Sequence, residues 1–197
     1  RAEQVGRALD FIQHHAVGDA AAPQEGAGLT SLGAAASDWD GDGDLDLFVA
    51  RWSPVRMDPT RMGGGTAKTS LCDLDYQRDF NPHVVWSALL ENDGSGGFSD
   101  ITDEAGLDLV GVSALTPVWA DLDGDGWQDL VVTGDYCSSR VFRNVEGRGF
   151  GDVTAAMGAG TDENAMGSVV EDLDGDGRLD WFVSSIFAAA DGPGCRS

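Results

Sequence analysis

Thirteen aspartates of this chain fall in three nine-residue loops of one design. They read Asp38-Trp-Asp-Gly-Asp-Gly-Asp-Leu-Asp46, Asp121-Leu-Asp-Gly-Asp-Gly-Trp-Gln-Asp129 and Asp172-Leu-Asp-Gly-Asp-Gly-Arg-Leu-Asp180. Each loop has a carboxylate at positions 1, 3, 5 and 9 and glycine at positions 4 and 6. Hard cations take oxygen ligands, and Ca2+ accepts six to eight of them at about 2.3–2.6 Å. Asp38, Asp40 and Asp42 offer side-chain oxygens in the first loop, as do Asp121, Asp123 and Asp125 in the second and Asp172, Asp174 and Asp176 in the third. Position 7 contributes its backbone carbonyl, from Asp44, Trp127 or Arg178, so any side chain serves there. Asp46, Asp129 and Asp180 close the cages at position 9. Glycine at position 6 (Gly43, Gly126, Gly177) lets the chain turn through positive φ at little cost. The expectation is about three Ca2+ sites.

Other chemistries fit less well. An EF-hand needs a bidentate Glu at position 12, where this chain has Val49, Val132 and Val183. A two-metal catalytic centre needs its ions about 4 Å apart, which loops on separate repeats would not give. A metal-free turn must hold four or five carboxylates together. At an effective dielectric near 20, two of them 4 Å apart repel by about 4 kcal/mol. No nucleophile motif or Ser-His-Asp pattern is present, and carboxylates saturated by a cation make poor acids or bases. Gly63-Gly-Gly-Thr-Ala-Lys68-Thr69 lacks the glycine before lysine that a phosphate loop requires. His14-His15 has only His83 as a further histidine and reads as a surface pair.

Repetition dictates the elements that carry the loops. Asp121 to Asp172 is 51 residues and Asp38 to Asp121 is 83, so the first interval holds an insertion of about 30 residues. Leu89-Leu-Glu-Asn92 and Phe98-Ser-Asp-Ile-Thr102 recur 52 residues later as Val141-Phe-Arg-Asn144 and Phe150-Gly-Asp-Val-Thr154. That recurrence fixes the register and places the extra residues between Val49 and Leu89. A short strand precedes each Asp loop (32–36, 116–120, 168–170) and a second follows it (45–50, 130–133, 179–184). A third strand covers 88–91 and 140–144, and a fourth lies near 98–102 and 150–154. Apolar runs this short, bounded by Asp-Gly turns, read as strands and not helices. Four short strands per unit of about 50 residues is a propeller blade. The fold class is therefore all-β, a partial β-propeller of about three four-stranded blades. The predicted divisions are an N-terminal segment 1–31, a first blade repeat 32–111 with an insertion at 51–87, a second repeat 112–163 and a truncated third repeat 164–197. Three blades do not close a ring, since closure takes typically four to eight. A fragment, or completion by another chain, is expected.

The chain has 197 residues, 42% hydrophobic content and a formal net charge of -22. A packed core is feasible, and the charge argues against nucleic acid and anionic membrane surfaces as partners. No apolar run reaches the roughly 18 residues of a membrane span. The chain starts at Arg1 without a visible signal peptide, consistent with processing or partial coverage. Cysteines stand at 72, 137 and 195. A calcium-rich, oxidising compartment favours one disulfide, and the insertion could bring Cys72 to Cys137.

Residues 51–85 differ from the acidic body. They hold five basic and four acidic residues, three prolines and the run Gly63-Gly64-Gly65. A long irregular loop on a rigid scaffold is a place for function. Trp52, Met57 and Met62 suit contact with a partner chain or a neighbouring blade.

The pattern Asp-x-Asp-Gly-Asp-Gly-x-x-Asp-Leu, followed at 92–107 by Asn-x-Gly-x-Gly-x-Phe-x-Asp-Ile-Thr-x-x-Ala-Gly-Leu, resembles FG-GAP/VCBS repeats. These are the calcium-loop blades of integrin alpha-chain propellers and of secreted cartilage acidic protein 1-like proteins. The resemblance covers nearly everything outside 51–87. It implies a seven-bladed, calcium-stabilised propeller with the ligand positions named above, in an extracellular, cell-surface or periplasmic setting. The function expected is non-enzymatic, in protein–protein interaction, adhesion or the structure of a larger assembly. The alternative is a carbohydrate-binding or hydrolytic propeller whose site lies on blades outside this chain, because propellers host all these activities.

Overall fold

Alternating apolar residues between Asp-Gly turns do form strands. The computed structural model describes residues 30–52, 87–162 and 164–186. The first sheet contains β1 (Thr30–Ser37), β2 (Asp46–Trp52), β3 (Ala88–Asn92) and β4 (Phe98–Asp100). The second contains β5 (Ser113–Ala120), β6 (Asp129–Asp135), β7 (Arg140–Asn144) and β8 (Phe150–Asp152). Each is a four-stranded antiparallel meander in chain order. A third sheet pairs β9 (Ala165–Glu171) with β10 (Asp180–Ser185). The fold is all-β, a partial propeller with its blades in sequence. Residues 1–29, 53–86, 163 and 187–197, with His14-His15, Cys72 and Cys195 among them, lie outside the described residues; Arg51 and Trp52, which the sequence placed in the insertion, end β2.

Strand alternation sends successive side chains to opposite faces, and the faces of consecutive blades meet. Phe48, Ala50 and Leu89 of the first blade pack with Leu130, Val132 and Phe142 of the second. Val131 and Val141, on the other face of the second blade, pack with Val170 and Trp181 of the third. The corresponding residues on the far face of the third blade, Val169 and Phe182, are exposed. Burying a large apolar side chain is worth about 1.5–3 kcal/mol, so these inter-sheet clusters hold the array together.

The inner strands run longer than the sequence reading placed them. Each carries a β-bulge, where Leu32, Leu115 and Met166 stand unpaired between regular partners. An extra residue breaks the two-residue period by which a strand is recognised. The bulges also join the blades. A Cβ on Gly33 would collide with the carbonyl oxygen of Leu115 in the next blade. At the equivalent place one blade on, the Thr116 hydroxyl donates to the carbonyl of bulged Met166 at 2.9 Å. Pro117 lies within β5 opposite Val132, which is tolerated because β5 is the edge strand of its sheet.

Candidate metal centre

Each Asp loop bridges the first two strands of its blade, so the strands fix where it begins and ends. The turn itself is built by its own carboxylates. Asp121 at position 1 accepts from the N–H groups of Gly124, Asp125 and Gly126 at 2.8, 3.0 and 2.9 Å. Asp172 repeats this with Gly175, Asp176 and Gly177 at 2.8, 3.1 and 2.9 Å. In the first loop, Asp40 accepts from Asp42 and Asp42 from Asp44. The position-6 glycines have φ of 97°, 94° and 86°, values that L side chains resist.

Carboxylates converge in all three loops. Asp38, Asp40 and Asp42 bring one oxygen each within 4.8 Å of one another. Asp121, Asp123 and Asp129 do the same, as do Asp172, Asp174 and Asp180. The position-5 residues of the second and third loops turn toward cationic side chains instead. Arg143 contacts Asp123 and, at 3.4 Å, Asp125. Arg178 holds Asp176, whose pKa is lowered by that contact. Asp44 lies against the β3–β4 turn, where a Cβ on Gly94 would strike its carboxylate. At position 7, the N–H groups of Asp44, Trp127 and Arg178 each donate to the position-5 carboxylate.

The ninth residue is the anchor, and an asparagine that the sequence marked only as a repeat landmark fixes it. In the first blade, the Asn92 N–H donates to Asp46 Oδ1 at 2.9 Å, while its amide donates to the Leu45 carbonyl at 3.1 Å. In the second, the Asn144 N–H donates to Asp129 Oδ1 at 2.8 Å and its amide to the Gln128 carbonyl at 3.1 Å. Both asparagines are buried. Their recurrence at the end of the third strand, in the landmarks 89–92 and 141–144, was the sequence signal that could have found them.

Asp129 Oδ2 accepts from the Leu122 N–H at 2.9 Å, and Asp180 Oδ2 from Leu173 at 3.0 Å. Asp46 differs. It is 0% exposed and its Oδ2 has no hydrogen-bond partner, although the nearby Trp39 N–H acts to lower its pKa. Burial, reinforced by the charges of Asp40 and Asp42, pushes the Asp46 carboxyl up to about 7. Burial likewise raises Asp129, with Asp123 and Asp125 adding to the effect, and it raises Asp40. A buried, unpartnered carboxylate oxygen within electrostatic reach of two further carboxylates is strongly disfavoured unless positive charge joins it. The donor set is all oxygen, which suits a hard divalent cation. The residues therefore fit a metal; in the first loop Asp38 Oδ1 is also buried without a partner, while Asp46 stands outside the converging group that Asp129 and Asp180 join in theirs.

Residues 121–183 match the family model of the FG-GAP-like repeat. That stretch runs from the second Asp loop through most of β10, so it contains one whole repeat interval and the start of the next. No curated protein matches the chain. The repeat class and the blade geometry agree, and together they define a segment of propeller type with Asp clusters able to hold a metal.

Proposed function

We propose that the chain is a non-enzymatic, Ca2+-binding propeller segment of an exported protein, acting in protein–protein interaction, adhesion or the framework of a larger assembly. The observation that carries the cation reading is the convergence of three carboxylates in each loop, with Asp38 Oδ1 and Asp46 Oδ2 of the first loop buried and unpartnered. Ca2+ would be held by Asp38, Asp40, Asp42 and Asp46 with the Asp44 carbonyl, and by the corresponding residues of the other two loops. It would supply the charge that these turns lack and tie the first two strands of each blade together.

The compartment follows from the same chemistry. A Ca2+-dependent fold suits a Ca2+-rich medium, and Cys137 is disulfide-bonded, as in proteins of oxidising compartments. The resemblance to integrin-type and cartilage acidic protein 1-like propellers supports an interaction role, with residues 51–85 as the first candidate contact. Among the described residues no helix is long and apolar enough to cross a membrane.

Thermal melting with and without chelator tests the cation. If three sites stabilise the fold, excess chelator lowers the Tm by well over 5 °C, given a few kcal/mol of linkage and about 2–4 °C per kcal/mol for a chain of this size. An unchanged melting curve, with no metal in the purified protein, would sink the reading.

A further inference from the structure

We infer that the first two Asp loops form one coupled cation-binding unit, with Asn144 and Trp127 as the residues that position each loop against the other. The inference rests on the cation reading above and goes beyond it. In that reading each loop acts alone within its own blade.

Asn144 is 1% exposed and touches both loops. Its amide donates one hydrogen to the carbonyl of Trp39, position 2 of the first loop, at 2.8 Å. The other goes to the carbonyl of Gln128, position 8 of the second loop, at 3.1 Å. Its Oδ1 accepts from the Gly147 N–H at 2.8 Å, and its own N–H holds Asp129. Every polar atom of the side chain is engaged, so it cannot follow a movement of one loop without straining its hold on the other.

Trp127 supplies a second link. Its indole lies over Gly41 of the first loop, where an added Cβ would sit 3.2 Å from the ring. The same edge of the ring meets Gly147, where a Cβ would strike both the indole and, at 2.9 Å, the Asp40 carbonyl. Trp39 completes the contact, with its ring 5.1 Å from that of Phe150 in the second blade. The third loop has Arg178 at position 7 and a largely exposed Leu173 at position 2. Among the described residues no hydrogen bond joins it to the second loop, so it stands outside the coupled unit.

A cation that orders the first loop fixes the Trp39 carbonyl and Gly41. Those groups hold Asn144 and Trp127 in the arrangement the second loop needs. Linkage makes the effect reciprocal, and couplings of this kind change affinity by about fivefold or more. Direct repulsion between two divalent cations has the opposite sign. It is left unaltered by a neutral substitution at Trp127, so the two effects separate.

Isothermal titration of the full chain with Ca2+ tests the coupling, with the third loop disabled by Asp172→Asn and Asp174→Asn. The affinity of the second loop is compared with the first loop intact and with it disabled by Asp38→Asn and Asp40→Asn. Both measurements are repeated with Trp127→Leu, which keeps the position-7 carbonyl, and with Trp127→Phe, which keeps an aromatic ring but shortens the edge that reaches Gly41. Disabling the first loop is expected to weaken the second about fivefold, least in Trp127→Leu, with Trp127→Phe between Leu and the parent. An unchanged or tighter second loop, or an equal loss in Trp127→Leu, would overturn the coupling. Absence of any Ca2+ binding by the parent chain would instead overturn the cation reading on which the coupling stands.

Discussion

Substituting Asp46→Asn should change the stability of this protein in opposite directions with and without Ca2+. Asp46 is fully buried, and its Oδ2 lacks a hydrogen bond beside Asp40 and Asp42. Leaving a buried charged group unsatisfied costs about 1–3 kcal/mol or more. Asn keeps the shape and the Oδ1 that accepts from the Asn92 N–H, removes the charge, and can turn an amide donor toward the two carboxylates. In chelator the variant should therefore gain about 1–3 kcal/mol. In Ca2+ at about 100 times the Kd, the parent gains about 2.7 kcal/mol from one site, and the variant loses most of that gain. Asp129→Asn is the control, because Asp129 Oδ2 already accepts from the Leu122 N–H and an amide there would face a donor. Its gain in chelator should be smaller or absent. Urea unfolding of the three proteins, in chelator and in excess Ca2+, gives the numbers. Equal destabilisation of Asp46→Asn under both conditions would refute the reasoning, because Asp46 would then be a structural hydrogen-bond acceptor and nothing more.

Three further outcomes are expected. Gly33→Ala drives a methyl into the Leu115 carbonyl of the next blade and should cost about 1–3 kcal/mol, read by urea unfolding. Asp135, away from the Asp loops, has its pKa raised by burial, against the hydrogen bonds from Tyr136 and Trp52. The folded state therefore holds that proton more tightly than the unfolded one, and its contribution to stability falls as pH rises from the ordinary carboxylate value through the raised one. Asp135→Asn should flatten that part of the stability–pH profile and stabilise the protein near neutral pH, whereas an unaltered profile would count against the burial argument. Cys137 is disulfide-bonded and the chain has three cysteines, so alkylation without reduction should label one thiol per chain, and peptide mapping should separate a Cys72 partner from Cys195.

The repeat landmarks made most of the fold legible. Matching Leu89-Leu-Glu-Asn92 to Val141-Phe-Arg-Asn144 located β3 and β7 to within a residue, because buried apolar positions and the closing asparagine recur in both. The inner strands were read too short, since the bulges at Leu32, Leu115 and Met166 interrupt the alternation. The Asp loops were visible as oxygen cages from spacing alone. What spacing could not show was the unequal state of the three position-9 residues. Asp46 and Asp129 are buried under the packing of the first two blades, whereas the third loop lies more open. Nor could it show that Asn144 serves two loops, because the contact with Trp39 joins residues 105 apart in sequence.

The most direct test of the central claim is a count of bound ions. Native mass spectrometry of the chain in dilute Ca2+ should show three ions per molecule, falling to two when the first loop is disabled by Asp40→Asn and Asp46→Asn. A spectrum with no bound Ca2+, or the same count in parent and variant, would contradict the account.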